Sequence, residues 1–311
     1  MPGGVTANIK YFSPHPIMMK SGRGAYLTDV DGNEYIDYLL SYSALMLGHG
    51  HPKIQEAMTN QIDDNGSWLL GAPHEREVIF GERIKQYFPS IDLLRYTNSG
   101  TEATLLALRL AASYTGKYKI AKFEGHYHGG YDQVLLSTEP PVDEAGPESC
   151  PVAVPASKAV DPYYKERTIV LPFNRESTFD ILKKHHHDIG AIVIEPTQGG
   201  FIPAEQEFME KLRKVTEELN IVLIFDEVKT GFRTCLGGVQ NLYGIQPDLT
   251  ALGKVIGGGF PFGVVGGKEE ILMESAPVEG TSNKLLHQKD VLFHSGTYNG
   301  HPLILAAGLA T

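Results

Sequence analysis

Apolar positions change their spacing along this chain, and each change predicts a different element. Early on, AYLTDV at 25–30 and NEYIDY at 33–38 flank Asp31-Gly32. Asp-Gly tolerates the positive φ of a tight turn, so the two runs are expected to pair as an antiparallel hairpin. The DVDGN string also resembles the start of a calcium loop, but the later Glu of that motif is missing. Across 51–61 and again across 75–87, apolar residues recur at helical spacing. From residue 92 onward, β-branched runs at 93–97, 119–123, 168–171, 191–194 and 221–225 alternate with helical patterns near 102–114, 176–186 and 205–219. That rhythm predicts an α/β layered core around a mostly parallel sheet.

Two stretches break the rhythm. Residues 139–166 contain Pro140, Pro141, Pro147, Pro151, Pro155 and Pro162, too long for an ordinary connection and expected to be a mobile or functional loop. Residues 303–311 are apolar and Ala-rich, the opening of a helix without a stop signal. The expectation is a truncated chain organised as an N-terminal segment over 1–60, a large domain over 61–300, and the start of a small C-terminal domain over 301–311.

With 311 residues, the chain is long enough for about two domains. Lys plus Arg number 27 against 37 for Asp plus Glu, a formal charge of -10, so no basic surface draws nucleic acid. No apolar run approaches the roughly 18 residues of a membrane span, and the opening lacks a signal-peptide pattern. Cys150 and Cys235 are too few for a disulfide framework. The expected setting is cytoplasmic.

Ligands of open α/β sheets bind beyond the carboxyl ends of the strands. Three such ends carry polar residues: Asn98-Ser99-Gly100-Thr101-Glu102, Glu195-Pro196, and Asp226-Glu227-Val228. At a strand-to-helix junction, Ser99, Gly100 and Thr101 can cradle a phosphate on free N–H groups. Ser99 and Glu102 also have the spacing of a plain capping box. Asp226 can serve as a buried carboxylate or simply satisfy a turn. Lys254, flanked by Leu252, Val255 and Ile256, is either a desolvated nucleophilic amine or a snorkelling side chain. A Walker loop is excluded because Val255 follows Gly253-Lys254. Tyr127 and His128 can stack on a planar cofactor or pack in the core. His126 and His128 lack a third ligand at metal spacing, and His185, His186 and His187 point about 100° apart on a helix, so no metal is expected.

One chemistry uses all of these parts. Pyridoxal 5'-phosphate needs a phosphate cradle, a ring stacker, a carboxylate beside its pyridine nitrogen, and a lysine amine that condenses with its aldehyde.

The motifs SGTEA (99–103), KFEGHYHG (122–129), IEPTQGG (194–200), DEVKTGFR (226–233), LGKVIGGGFPFG (252–263) and HSGTYNGHP (294–302) occur in the order found in one family. On these motifs the chain resembles the class III aminotransferases, fold-type I pyridoxal-phosphate enzymes, and within them the aminomutases. The resemblance implies the large-domain fold, with Lys254 as the catalytic lysine that carries the cofactor and Asp226 as the partner of the pyridine nitrogen. It further implies ring packing by Tyr127 and Val228 and phosphate contacts from Gly100 and Thr101, with Ser99, His128 and Glu195 completing the cofactor site. Thr297 matches a residue that reaches the neighbouring subunit's phosphate, so a homodimer is implied. Where the aminomutase pattern has a substrate-binding Arg and a Trp, this chain has Lys10 and Tyr42, and His301 replaces an Asn. The implied reaction moves an amino group within one small carboxylate, of the glutamate 1-semialdehyde to 5-aminolevulinate type, through the pyridoxamine phosphate form. An intermolecular aminotransferase acting on an amino acid or ω-amine with a keto acid is the alternative, and an inactive fragment is a third reading.

Overall fold

The computed structural model describes residues 1–277 and 291–311. Asp31-Gly32 makes the expected turn: β2 (Tyr26–Asp29) pairs antiparallel with β3 (Glu34–Ile36), and β1 (Met19–Arg23) adds a third strand on the other side of β2. The Asp29 carboxylate closes this turn by accepting from the N–H groups of Asp31 and Asn33, at 3.0 and 2.8 Å. The acidic string therefore serves the hairpin.

Nine strands follow among the described residues: β4 (Leu93–Thr97), β5 (Lys119–Phe123), β6 (Thr168–Leu171), β7 (Ile189–Ile194), β8 (Thr197–Gln198), β9 (Ile202–Pro203), β10 (Val222–Asp226), β11 (Leu249–Gly253) and β12 (Gly263–Gly267). β8 and β9 form a small separate ladder, and the other seven form one sheet in the order β4-β12-β11-β10-β7-β5-β6. β5, β6, β7, β10 and β11 pair in parallel, while β12 runs antiparallel to both β11 and β4. Since β4 and β11 both oppose β12, they point the same way. The carboxyl ends of β4, β5, β7, β10 and β11 consequently share one rim.

Sheet faces follow the two-residue period of a strand. Along β10, Val222 and Ile224 pack with Leu106, Leu110 and Ala111 of the helix Gly100–Thr115. Leu223 and Phe225 face the other way, toward Phe179 and Leu182 of the helix Ser177–His185 and Phe208, Met209 and Leu212 of the helix Gln206–Glu218. Both faces are covered, which is why β7 and β10 read as unbroken apolar runs. A third cluster joins Phe80 and Ile84 of the helix Glu75–Tyr87 to Phe262, Val264 and Leu305. The helix Pro302–Ala310 packs against both Glu75–Tyr87 and Pro52–Asn65, the latter running through residue 60.

β1, β11 and β12 go beyond the sequence expectation. Three of the five residues of β12 are glycines, which weaken a strand judged by propensity. Close approach explains them: a Cβ at Gly263 would lie 2.4 Å from the Ser99 carbonyl, and one at Gly267 would lie 2.2 Å from that of Asp248. No helix among the described residues is long and apolar enough to cross a membrane.

Candidate active site

Helix Gly100–Thr115 starts at the end of β4 because Ser99 is extended and its hydroxyl accepts from the Glu102 N–H at 3.1 Å. Glu102 reaches back to the Asn98 N–H at 2.7 Å. The Ser99 half of the capping box is therefore present, with Glu102 bonding the residue before the cap, and Gly100 and Thr101 keep N–H groups without an acceptor among the described residues. Cap and anion cradle are compatible here, since the two use different donors of the first turn. Gly100 is fixed by contact: a Cβ there would lie 2.6 Å from Cγ1 of Val228, and one at Gly253 would lie 3.1 Å from the same atom. Val228 is thus wedged between the cradle and the end of β11.

Behind β5, the turn that carries Tyr127 and His128 swings over this helix start. Thr104 donates to the His128 carbonyl at 2.5 Å. Gly129, at φ +117, comes so close to Thr101 that a Cβ would lie 2.9 Å from its Cγ2. His128 is buried, and its Nδ1 lies 2.8 Å from Oδ2 of Asp226. The other Asp226 oxygen accepts from the Val228 N–H at 3.1 Å. β10 thus ends in a buried carboxylate whose direction is set from two sides.

Glu195, at the end of β7, is also buried. One of its oxygens accepts from the Tyr127 N–H at 2.9 Å, and the other lies 2.8 Å from Nζ of Lys229. The Lys229 ammonium stands 5.9 Å from the centre of the half-exposed Tyr127 ring, at the outer limit of a cation–π contact.

Lys254 follows β11 directly and has φ +50, a left-handed conformation that costs a non-glycine residue on the order of 1 kcal/mol. Burial pushes its amine below the ordinary lysine range, Asp226 opposes that shift, and Lys229 adds to it. The side chain opens into a cleft of about 1500 Å³ shared with Tyr127, Lys229, Thr230 and Arg233. Glu139, Pro140, Val142 and residues 145–148 of the proline-rich stretch form one wall, and Pro172 to Arg175 form another. Glu148 and Arg175 pair across the mouth at 3.2 Å. The stretch expected to be a mobile or functional loop is therefore a wall of the cleft.

The fold brings Ser99, Gly100, Thr101, Tyr127, His128, Glu195, Asp226, Val228 and Lys254 to one rim. Tyr42 lines the same cleft, its hydroxyl donating to the Ile9 carbonyl at 2.9 Å. Lys10 is exposed, bonds Oγ1 of Thr6 at 3.0 Å, and lies next to the lining residue Ile9 without lining the cleft itself. Thr297 is exposed in a segment that Asn299 ties to Asn98 at 3.0 Å. Lys229, Arg233 and the buried Lys122 were not singled out by the sequence reading. Lys122 donates to the Leu136 carbonyl at 2.6 Å, and burial pushes its amine down to about 7. Its position in an apolar strand was the only available signal.

The residues present fit pyridoxal phosphate. A glycine-lined helix start with free N–H groups suits a phosphate, a buried carboxylate suits a protonated ring nitrogen, and a desolvated amine lies in the same cleft.

The family model "Aminotransferase class-III" matches residues 9–311. A curated glutamate-1-semialdehyde 2,1-aminomutase of Ignicoccus hospitalis is 45% identical over the whole chain, which spans 70% of that relative. An ω-transaminase structure from Sphaerobacter thermophilus superposes with a TM-score of 0.91 at 38% identity, covering 100% of this chain and 69% of that one. A glutamate-1-semialdehyde aminomutase variant from Pseudomonas aeruginosa PAO1 in complex with PMP superposes at 0.82 with 26% identity, covering 100% and 66%.

Proposed function

This chain belongs to the class III aminotransferase family, and we propose that it acts there as a pyridoxal-phosphate-dependent aminomutase. It moves an amino group within one small carboxylate, as in the conversion of glutamate 1-semialdehyde to 5-aminolevulinate. The 45% identity over the whole chain to a curated aminomutase carries this reading.

When bound, the cofactor supplies an electron-poor ring conjugated to the amino group being moved. The chain supplies the rest. Gly100 and Thr101 hold the phosphate at the positive end of their helix, and Ser99 keeps that end capped. Asp226, aimed by His128 and the Val228 N–H, holds a proton on the ring nitrogen. Such a charge-assisted bond strengthens as electrons move into the ring, so its effect falls on the rate more than on affinity. Tyr127 and Val228 would pack against the ring. Nζ of Lys254, whose hold on a proton burial weakens, takes a proton from one carbon and returns it to another. The cleft walls limit water, and Glu195 holds Lys229 and the Tyr127 turn in place. Tyr42 lines the cleft at the substrate end, and Lys10, beside the lining residue Ile9, would have to turn from Thr6 to pair with a carboxylate as a point charge. By the match of its segment to the family motif, exposed Thr297 would complete the partner's phosphate site in a homodimer.

A second reading, an intermolecular aminotransferase, is favoured by the higher identity and TM-score of the ω-transaminase structure. Glutamate 1-semialdehyde supplied with and without a keto acid separates the two. The aminomutase forms 5-aminolevulinate with no acceptor added; turnover that requires the keto acid identifies the aminotransferase.

A further inference from the structure

His126 sits two residues before His128 and is fully buried. Its Nδ1 accepts from the Glu195 backbone N–H at 3.0 Å. Burial holds the ring well below the ordinary histidine range, with His128, Lys122 and Lys229 pushing the same way. A neutral imidazole that accepts at Nδ1 carries its proton on Nε2. That N–H has no partner among the described residues, and neither has Nε2 of His128. The two rings lie 5.9 Å apart, centre to centre. One buried donor thus lies beside one buried acceptor if His128 carries its own proton on Nδ1, facing Asp226. Leaving either unpaired carries the desolvation cost of a buried polar atom.

We propose that His126 is a positioning residue: through one bridging water its Nε2–H donates to Nε2 of His128, which orients the ring and backs the Nδ1–H that His128 presents to Asp226. Water suits this place because both Nε2 atoms are buried and neither has a partner among the described residues. The relay runs from the Glu195 backbone at the end of β7 to Asp226 at the end of β10, so two strand ends set the direction of one carboxylate. It bypasses Lys122, which is committed to the Leu136 carbonyl, and Lys229, which is committed to the Glu195 side chain. Its consequence for the ring nitrogen rests on the cofactor placement proposed above; the relay itself is a property of the protein alone.

The competing fate of the His126 N–H is the Phe173 ring, whose centre lies 4.8 Å away in an edge-to-face arrangement. Imidazole ¹⁵N spectra of the cofactor-free protein at neutral pH separate the two. The relay requires Nε2–H on His126 and Nδ1–H on His128. His126→Phe is expected to shift the His128 Nε2 signal toward that of an acceptor without a hydrogen bond, whereas His126→Gln, which can place an amide N–H near the former Nε2, is expected to keep it in place. With pyridoxal phosphate bound, the pH midpoint of the visible absorbance is expected to move by about one unit in His126→Phe, a tenfold change in proton affinity, and to stay near wild type in His126→Gln. Nε2–H on His128 in the wild type, or a ring-current-shifted His126 N–H with unchanged His128 signals in His126→Phe, would overturn the proposal. Because the ¹⁵N readout needs no cofactor, failure to bind pyridoxal phosphate counts against the functional reading and leaves the relay to be scored separately.

Discussion

Gly100→Ala tests the tightest contact in the cradle. The new methyl carbon would lie 2.6 Å from Cγ1 and 2.9 Å from Cγ2 of Val228. Val228 has little room to withdraw, because Cγ1 already lies 3.1 Å from where a Cβ at Gly253 would stand. Overpacking of this kind costs about 1–3 kcal/mol. Alanine's helix propensity recovers up to about 1 kcal/mol of that, and less in a first turn. A net loss of about 1–2 kcal/mol is expected. Because Val228 lies against both the cradle and the end of β11, part of that loss, about 0.5–1 kcal/mol, should appear as pyridoxal-phosphate affinity weakened by roughly 2–5-fold. Fluorescence titration of the cofactor and urea unfolding of the cofactor-free protein measure the two parts. Val228→Ala removes both methyls that clash, so the double variant should recover most of the strain, a coupling of about 1 kcal/mol or more in the cycle. Wild-type affinity and stability in Gly100→Ala, or strictly additive losses in the double variant, would refute the wedged arrangement.

Asp226→Asn is expected to keep the cofactor bound while turnover falls about 100-fold or more, since a neutral amide cannot match the carboxylate as the ring draws in electrons; steady-state kinetics beside a cofactor titration checks this. Ser99→Ala should destabilise the chain by about 1 kcal/mol through loss of the helix cap, read by urea unfolding. Lys122 titrates at about 7 in the folded chain against an ordinary 10.5. Between those values the unfolded chain binds a proton that the folded chain does not, so this group makes stability rise with pH across that window, at up to about 1.4 kcal/mol per unit. Lys122→Met should flatten that slope in unfolding curves taken at several pH values within the window. Thr297→Ala should weaken cofactor binding in a dimer confirmed by light scattering; a monomer that binds cofactor equally well with and without the mutation would place the phosphate site within one chain.

The sequence was most legible where local rules and tertiary needs agree. The helix Glu75–Tyr87 and the strands β4 and β5 fall where apolar spacing put them. β12 was hidden because its glycines answer to the Ser99 and Asp248 carbonyls, which lie far away in the chain. Within the site, Asp226 and Lys254 stood out as polar residues beside apolar runs. The links that organise them did not: His128 meets Asp226 across 98 positions, and Tyr127 meets Glu195 across 68. Such contacts depend on β5, β7 and β10 being neighbours in the sheet, and strand order leaves no local periodicity to read.

The central claim is that Lys254 is the residue that carries the cofactor. Protein reconstituted with pyridoxal phosphate, reduced with borohydride and digested, is expected to yield one phosphopyridoxyl peptide, with the label on Lys254. Label on Lys229 or Lys122 with Lys254 unmodified, or no label at saturating cofactor, would contradict it.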